Sequence, residues 1–278
     1  MEKTYVMING LPGNVAATMA LAATADPRFE LIPFSLTGPD IMQAVFQVND
    51  LSVTLLRPDI RETAIQDIQQ RFSRFIAVDY THPSAVNANA RFYIRHQIPF
   101  VMGTTGGDRQ ALETEVSQGD TPAVIAPNMA KQIVGFQAMM AFAADNFPGL
   151  FSGYTLEIKE SHQQGKADTS GTARAMVGYF NRLGLEFSPD QIQQIRDPRV
   201  QRNEWQIPDA FLSGHGWHTY TLTSPDGSAL FEFKHNINGR QIYVEGTFDA
   251  VRFLKYQSVG TPGAKRLFSM IDVLNQAR

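Results

Sequence analysis

Near its start the chain reads Thr4-Tyr5-Val6-Met7-Ile8-Asn9-Gly10-Leu11-Pro12-Gly13-Asn14-Val15-Ala16. The apolar run up to Ile8 is typical of a buried strand, and the Ala-rich sequence that follows is typical of a helix to about Thr24. Two glycines permit a tight turn, and Ala16 permits close packing of the helix on the strand. This Gly-x-x-Gly-x-x-Ala pattern predicts a βαβ unit whose first helix points N–H groups at a pyrophosphate. The alternative is an ordinary turn between a strand and a helix.

Strand-like and helix-like segments then alternate as far as residue 129. Strands are expected at residues 29–37, 51–56, 75–80, 99–102 and 123–126, with helices between them. This rhythm predicts an α/β fold with a Rossmann-like, doubly wound parallel sheet. In such sheets ligands bind at the carboxyl ends of the strands. The polar and small residues at those ends are Gly10, Ser35, Asp79, Tyr80, Gly103, Thr104, Thr105, Pro127 and Asn128.

The end of the second strand bears on the choice of nucleotide. Units that select NAD place an acidic residue there to hold the ribose 2′-hydroxyl. Here the sequence is Ser35-Leu36-Thr37-Gly38, whose hydroxyl and N–H groups suit a 2′-phosphate and include no carboxylate to repel it. NADPH is therefore the favoured cofactor, and NADH is the alternative.

The pattern changes after Asn128. A long helix is expected at residues 130–146, followed by strands at 154–159, 217–222, 229–236 and 241–248 and a last helix from Gly263 to about Ala277. We expect a first domain at residues 1–129 plus 250–278, and a second, α+β domain with an open mixed sheet at residues 130–249. A partner usually covers an open apolar sheet face, so we expect a homodimer or homotetramer formed through the second domain.

Composition excludes several classes of protein. The 24 basic and 27 acidic side chains give a net charge of −3, which offers no general attraction to nucleic acid or to an acidic membrane surface. The chain has no cysteine, so disulfides, thiolate metal sites and a cysteine nucleophile are absent. No apolar run is long enough to span a bilayer. The expectation is a soluble cytoplasmic protein without a nucleic-acid or membrane partner.

The strand expected at residues 154–159 leads into Glu160-Ser161-His162-Gln163-Gln164-Gly165-Lys166-Ala167-Asp168-Thr169-Ser170-Gly171-Thr172-Ala173. A helix is expected to follow, and free N–H groups at a helix start make a natural site for a carboxylate or phosphate. His162 and Lys166 add an imidazole and an ammonium, so we expect this loop to be the chemical centre. Asp168 is expected to cap the helix, with a role as a base as the alternative, and Glu160 is expected to orient a neighbour. His215 and His218 lack a nearby acidic or thiol ligand in the sequence, so no metal site is expected.

Together these motifs resemble one family. Val78-Asp79-Tyr80-Thr81-His82-Pro83, Gly103-Thr104-Thr105-Gly106, Ala126-Pro127-Asn128-Met129 and the Glu160–Ala173 loop occur in the order typical of dihydrodipicolinate reductase, and they cover nearly the whole chain. The details resemble the plant-type branch, as found also in cyanobacteria. The resemblance implies NAD(P)H-dependent reduction of 4-hydroxy-tetrahydrodipicolinate, a cyclic unsaturated dicarboxylate, in the diaminopimelate route to lysine.

The resemblance also implies roles for particular residues. His162 and Lys166 are the catalytic candidates, and the sequence leaves open which of them donates a proton. The expected substrate-binding residues are Gln163, Lys166, Ser170, Gly171 and Thr172. The expected cofactor-binding residues are Gly10, Leu11, Pro12, Gly13, Asn14, Val15, Ser35, Thr37, Asp79, Tyr80, Gly103, Thr104, Thr105, Pro127, Asn128 and Met129. Two other functions stay open: a non-catalytic NAD(P)-sensing protein, and a reductase or dehydrogenase of another small carboxylic acid.

Overall fold

The computed structural model describes residues 3–257 and 263–276. The chain forms two compact units, the first comprising Met1–Lys131 and Tyr243–Arg278 and the second comprising Gln132–Ile242. The second unit therefore ends before residue 249, where we expected it to end. No helix within the described ranges is long and apolar enough to cross a bilayer.

The first unit opens with alternating strands and helices. In chain order these are β1 (Thr4–Asn9), α1 (Asn14–Ala25), β2 (Phe29–Leu31), β3 (Phe34–Leu36), β4 (Val45–Val48), β5 (Leu51–Leu56), α2 (Arg61–Arg71), β6 (Phe75–Asp79), α3 (Val86–Arg95), β7 (Phe100–Met102), α4 (Arg109–Gln118) and β8 (Ala123–Ile125). Every residue of β6, β7 and β8 is buried, as expected for strands covered on both faces.

The single strand expected at residues 29–37 is in fact two strands. Proline lacks the N–H that a continuous ladder needs, and Pro33 separates β2 from β3. β2 pairs with β1 in the main sheet, whereas β3 pairs with β5 in a small sheet of order β3-β5-β4. We did not predict β4, which pairs antiparallel with β5 through the turn at Asn49.

The second unit begins within α5 (Lys131–Asn146) and contains β9 (Thr155–His162), α6 (Gly171–Arg182), β10 (Gln193–Ile195), α7 (Pro198–Asn203), β11 (His215–Thr223) and β12 (Leu230–Asn238). Its sheet has the order β10-β9-β11-β12, with β10 parallel to β9 and the other pairs antiparallel. The expected mixed sheet is thus confirmed. One face of it packs on α6, where Met176 and Phe180 are buried with Ile158 and Tyr220.

The strand expected at residues 241–248 is wrong, because this segment is the start of α8 (Ile242–Lys255). Its buried positions Val244, Phe248 and Val251 recur at helical spacing. Gly246 is required there, since a Cβ would lie 2.0 Å from the carbonyl O of Met129. The helix expected from Gly263 to Ala277 is instead β13 (Leu267–Phe268) followed by α9 (Met270–Gln276), and Ala277 lies outside the described residues.

With β13 included, the main sheet of the first unit has the order β13-β8-β7-β6-β1-β2, and all its pairs are parallel. The Rossmann-like prediction is therefore confirmed. Helix α3 covers one face with Phe92 and Tyr93, which pack near Phe100 and are fully buried. Burial of a side chain such as Phe100 contributes about 1.5–3 kcal/mol to folding. This core fixes the strand ends from which the loops of the first unit project.

Candidate functional site

The loop expected to be the chemical centre starts later than predicted, because β9 continues through His162. His162 therefore projects from the end of a strand rather than from a loop. The chain turns immediately afterwards, where the Lys166 N–H donates to the carbonyl O of Gln163 at 3.0 Å. Lys166 is half-buried, and its Nζ lies 2.8 Å from Oδ1 of the exposed Asp168. The loop thus holds its ammonium close to the surface of the second unit.

The start of α6 is capped by Ser170 and not by Asp168, which corrects the expectation from sequence. The Ser170 Oγ accepts hydrogen bonds from the Thr172 N–H at 3.2 Å and the Ala173 N–H at 3.4 Å. Asp168 instead pairs with Lys166, which lowers the pKa of its carboxyl. Gly171 is exposed and Thr172 half-buried at the first positions of the helix. This end of α6 suits an anion, because the helix dipole is positive there.

A buried carboxylate lies beneath this loop. Glu160 is fully buried, its Oε2 accepts the Ser170 N–H at 3.0 Å, and its Oε1 lies 2.5 Å from Arg196 Nη2. Burial alone would raise the pKa of Glu160, but the neighbouring His218, the Arg196 guanidinium and the Ser170 N–H outweigh burial and lower the pKa to about 2. Glu160 is therefore ionised, and it orients the start of α6 as we expected it to orient a neighbour.

Sequence reasoning missed Arg196. Besides Glu160 Oε1, its guanidinium donates to the carbonyl oxygens of Lys166 at 2.9 Å, Glu160 at 3.3 Å and Asp168 at 3.5 Å. One side chain therefore ties both ends of the loop that carries Lys166. Arg196 reaches this position because it follows β10, which pairs parallel with β9. The sequence contains no signal for that pairing.

His162 is held in one tautomer. Its Nδ1 lies 3.0 Å from the carbonyl O of His215, and since a carbonyl only accepts hydrogen bonds, Nδ1 carries the proton. Burial and the neighbouring His218 lower the pKa of His162 to about 4, against the opposing charge of Glu160. The ring packs against Gly216, where a Cβ would lie 3.0 Å from its Cε1. At neutral pH the imidazole is thus uncharged, with a lone pair on Nε2.

Further histidines surround the same carboxylate. On adjacent strands Glu160 is paired with His218, and His218 with His235. The rings of His218 and His235 stack with their centroids 4.6 Å apart. No metal site was expected because no acidic ligand stands near His218 in the sequence, but the fold brings Glu160 within 3.7 Å of it. His215 is separate from this row, with its Nε2 2.8 Å from Ser161 Oγ.

In the first unit the glycine loop follows β1, as expected. Gly10 has a φ of +110°, and a Cβ there would lie 2.2 Å from the carbonyl O of Tyr80. The Gly13 N–H donates to the carbonyl O of Gly10 at 2.8 Å, and Gly13 is the N-cap of α1. No side chain of the described residues caps this helix start, which leaves N–H groups of the first turn for a ligand. The loop therefore fits a phosphate group.

The loops after β6 and β7 are joined by Asp79. Its fully buried carboxylate accepts hydrogen bonds from the Thr81 N–H, the Asn89 amide, and the hydroxyls of Thr81, Tyr93 and Thr104. Tyr93 in turn accepts from Asn9 at the end of β1. Asp79 was expected to bind cofactor; its carboxylate is fully buried and holds these loops together.

Tyr80 and Gly103 lie against each other. A Cβ at Gly103 would lie 2.4 Å from the Tyr80 ring, whose hydroxyl donates to Thr247 Oγ1 at 2.6 Å. Burial raises the pKa of Tyr80, so the phenol stays protonated. The ring therefore forms a fixed wall beside the loop after β7.

The expectation that Ser35 faces a 2′-phosphate is wrong for its side chain. Ser35 is fully buried, and its Oγ accepts the Leu11 N–H at 3.3 Å and donates to the carbonyl O of Leu36. Thr37 donates to the carbonyl O of Leu11 at 2.7 Å. Both hydroxyls are therefore used to hold the glycine loop in place.

Burial sorts the remaining cofactor candidates. The exposed ones are Gly13, Asn14, Thr105 and Pro127; the half-buried ones are Gly10, Pro12, Val15, Tyr80, Gly103 and Asn128; the buried ones are Leu11, Ser35, Thr37, Asp79, Thr104 and Met129. Asn128 Oδ1 accepts the Ala130 N–H at 2.9 Å and so shapes the turn before α5. The uncapped helix start and the glycines that exclude a Cβ show that these loops fit a dinucleotide, with the exposed and half-buried residues as its candidate contacts.

Two family models match the chain over both of its halves. One, described as dihydrodipicolinate reductase, N-terminus, matches residues 4–129, and the other, dihydrodipicolinate reductase, C-terminus, matches residues 133–274.

Relatives with high sequence identity come from plants. "4-hydroxy-tetrahydrodipicolinate reductase 1, chloroplastic" of Arabidopsis thaliana is 44% identical over 272 residues, which cover 98% of this chain and 78% of the relative. "Probable 4-hydroxy-tetrahydrodipicolinate reductase 2, chloroplastic" of Oryza sativa subsp. japonica is 42% identical over 271 residues, covering 98% and 83%. Because these relatives are named as chloroplastic, a cytoplasmic location stays a prediction.

A solved structure has the same fold. The dipicolinate-bound dihydrodipicolinate reductase from Paenisporosarcina sp. TG-14 matches with a TM-score of 0.66 and 16% identity, covering 96% of this chain and 98% of that one. At this identity the likeness concerns the fold.

Proposed function

The chain belongs to the dihydrodipicolinate reductase family, and from this premise we propose how its residues carry out the NAD(P)H-dependent reduction of 4-hydroxy-tetrahydrodipicolinate. The enzyme is an oxidoreductase of the diaminopimelate route to lysine, and it uses a nicotinamide cofactor. The observation that carries the proposal is the loop between β9 and α6, which presents Lys166 beside a helix start that suits a carboxylate.

The two charges of a dicarboxylate require two kinds of partner. We assign one carboxylate to the start of α6, with the N–H of Gly171, the hydroxyl of Thr172 and the capping hydroxyl of Ser170. Lys166 Nζ attracts the substrate's negative charge, and in the free enzyme it has only the exposed Asp168 as a partner in the described part of the chain. An exposed ion pair of this kind is worth roughly 0–1 kcal/mol, so substrate displaces Asp168 at little cost. Gln163 shapes the turn that presents Lys166.

Lys166 is the proposed proton donor. Loss of the substrate's 4-hydroxyl with a neighbouring hydrogen, as water, gives a conjugated imine. A reduced nicotinamide, when bound, supplies the hydride, and hydride addition to this imine leaves negative charge that a proton must quench. His162 is uncharged at neutral pH, with its remaining proton on Nδ1 held by the His215 carbonyl. The His162 imidazole therefore accepts a hydrogen bond at Nε2, and the Lys166 ammonium donates the proton. Lys166 is half-buried, so solvent can restore its proton.

The proposed cofactor is NADPH. Residues 35–38 contain no carboxylate that would repel a 2′-phosphate or hold a 2′-hydroxyl. The hydroxyls of Ser35 and Thr37 are used within the loop, so we assign the 2′-phosphate contact to backbone N–H groups near Gly38, which has open space around it. Comparison of kcat/KM with NADPH and with NADH tests this assignment.

The activity is tested by absorbance at the reduced nicotinamide band, with enzymatically generated substrate and with NADPH or NADH in parallel. We expect oxidation of the cofactor only when substrate is present. Cofactor binding without oxidation would favour a nucleotide-sensing protein instead. Oxidation with another small carboxylic acid, and none with this substrate, would favour a related dehydrogenase.

We also propose that copies of the chain associate through the second unit as a homodimer or homotetramer. β12 is an edge strand, and its Leu230 and Phe231 are 63% and 44% exposed. An edge strand of nine residues that begins with two exposed apolar side chains is a site for pairing with another chain. Light scattering should show an oligomer that dissociates in Leu230→Glu but not in the control Leu21→Glu, which alters a 47% exposed side chain of the first unit. A monomeric parent chain would refute the proposal.

A further inference from the structure

Three potential metal ligands meet at the end of β9. Glu160 Oε2 lies 3.9 Å from His162 Nε2 and 3.7 Å from His218 Nε2, and one ligand atom from each residue lies within 4.8 Å of the others. Within residues 3–257 and 263–276, His162 Nε2 and both ring nitrogens of His218 are buried without a hydrogen-bond partner. Buried polar atoms normally have a partner, so these nitrogens require an explanation.

The surrounding contacts orient the ligand atoms as a metal would need them. The His162 Nδ1–H is bound by the His215 carbonyl, which turns the Nε2 lone pair toward Glu160. Metal-binding histidines almost always have such a partner for their second nitrogen. Arg196 holds Glu160 Oε1, and the Ser170 N–H occupies only one lone pair of Oε2. A lone pair on Oε2 therefore remains for a cation.

We propose that Glu160, His162 and His218 bind one divalent transition-metal ion of the Zn²⁺ class. Two imidazoles and one carboxylate are a ligand set that suits zinc and its neighbours, with a fourth position open to water. Such an ion lies roughly 2.0–2.2 Å from each ligand, so two ligands can be up to about 4.2 Å apart. Both carboxylate–imidazole distances satisfy this limit. The ligand atoms of the two histidines lie within 4.8 Å of each other, so a small side-chain movement brings them within the same limit.

Charge makes the site reversible rather than permanent. The Arg196 guanidinium already neutralises the Glu160 carboxylate, so this ion pair has no net negative charge to attract a cation. The site should therefore fill only when free metal is abundant.

Occupancy has a consequence that rests on the function proposed above. His162 Nε2 accepts a hydrogen bond during the reaction, and a bound ion takes the same lone pair. The metal is thus an inhibitor of the reductase. Metal binding needs only the three side chains, so it can be present in a protein without reductase activity and absent from an active one.

Binding is tested on the full chain after treatment with chelator, without substrate, because a dicarboxylate would itself bind the metal. Co²⁺ is followed by its visible absorbance and Zn²⁺ by calorimetry. We expect one ion per chain and at least about tenfold weaker binding in Glu160→Gln and His218→Gln. His96→Gln is the control, because His96 lies in the first unit, paired with Glu62. No binding to the parent, or equal binding by parent and ligand variants, would overturn the proposal.

Loss of folding could imitate loss of a ligand, so a second variant is needed. His162→Gln changes the more accessible of the two histidines, whose side chain is 13% exposed against 4% for His218. Tryptophan fluorescence checks the second unit, which contains both Trp205 and Trp217. A metal that binds the folded state raises Tm. We expect Zn²⁺ to raise Tm in the parent and not in folded His162→Gln; an equal rise in both would count against the site.

Discussion

Arg196 Nη2 lies 2.5 Å from Glu160 Oε1, and the carboxylate it pairs with is fully buried. Removal of one partner of a buried ion pair leaves an uncompensated charge and typically costs about 3–5 kcal/mol. We therefore expect Arg196→Gln to lower the free energy of unfolding of the second unit by several kcal/mol. Denaturant titration followed by tryptophan fluorescence measures this change.

The matched control for Arg196 is Arg199→Gln. Arg199 pairs with Asp197 at 3.2 Å, but its side chain is 84% exposed, so we expect a loss below about 1 kcal/mol. Equal losses in the two variants would contradict the importance of the buried pair. Arg196→Lys should retain part of the stability but raise KM, because one ammonium nitrogen cannot take the places of Nε, Nη1 and Nη2, from which the guanidinium donates to the Lys166 carbonyl, the Glu160 carbonyl and the Glu160 carboxylate.

Lys166→Ala should reduce kcat/KM by at least about ten- to a hundredfold, since a charge-assisted hydrogen bond is worth roughly 1.5–3 kcal/mol. The control is Lys159→Ala, which removes an ammonium from β9 that pairs with Glu157. Steady-state kinetics should leave that control near the parent. Unchanged kinetics in Lys166→Ala would remove Lys166 from the mechanism.

The pH dependence of activity separates the two catalytic candidates. Because the pKa of His162 is lowered to about 4, kcat/KM should show no inflection near pH 6.5 that depends on this residue. Parent and His162→Gln are compared across pH 5–8. An inflection near pH 6.5 that disappears in His162→Gln would instead assign proton donation to the imidazole.

The same lowered pKa predicts how stability changes with pH. Between pH 6.5 and about 4 the unfolded chain binds a proton at His162 that the folded chain does not. The contribution of His162 is therefore complete above pH 6.5 and is lost as pH falls toward 4, by at most about 1.4 kcal/mol per pH unit. His235, with a pKa lowered to about 3 by burial, adds a loss of the same sign. In His162→Gln the free energy of unfolding should fall less steeply; an identical slope would contradict the lowered pKa.

Gly10→Ala should destabilise the first unit and weaken cofactor binding. Its φ of +110° is strained for other residues, and the new Cβ would lie 2.2 Å from the Tyr80 carbonyl O. Strain of this kind costs about 1–3 kcal/mol before the clash is counted. Gly38→Ala is the stability control, since no atom lies within 4 Å of the Cβ position. Thermal unfolding and NADPH titration measure the two effects, and an unaltered Tm in Gly10→Ala would contradict the assigned backbone conformation.

Features that depend on local sequence were predicted well. The glycine turn after β1, the buried strands β6, β7 and β8 and the helix that begins near Thr172 each have a pattern within a few neighbouring residues. Features that depend on distant pairing were not. Arg196 reaches Glu160 only because β10 lies beside β9, and Glu160 meets His218 only through the pairing of β9 with β11.

Ambiguous or competing local signals explain the other errors. The β-branched start of α8 resembles a strand, and only its burial at helical spacing reveals the helix. Ser35 and Asp168 each had the right chemistry for the expected role. The Ser35 hydroxyl instead accepts a hydrogen bond from the Leu11 N–H, and the Asp168 carboxylate accepts one from Lys166 Nζ.

The carboxylate of Asp79 has a practical consequence for anyone who wishes to redesign the nucleotide preference. Thr104, after β7, and Tyr93 donate hydrogen bonds to this carboxylate, and Asn9, at the end of β1, donates to Tyr93. A change at any of these residues therefore affects the loops after β1, β6 and β7 together. Libraries should leave Asp79, Asn89 and Ser35 untouched. Diversity belongs at the exposed Asn14 and at the half-buried Gly38, which has no atom within 4 Å of its Cβ position, because new side chains fit there without disturbing the hydrogen bonds of the three loops.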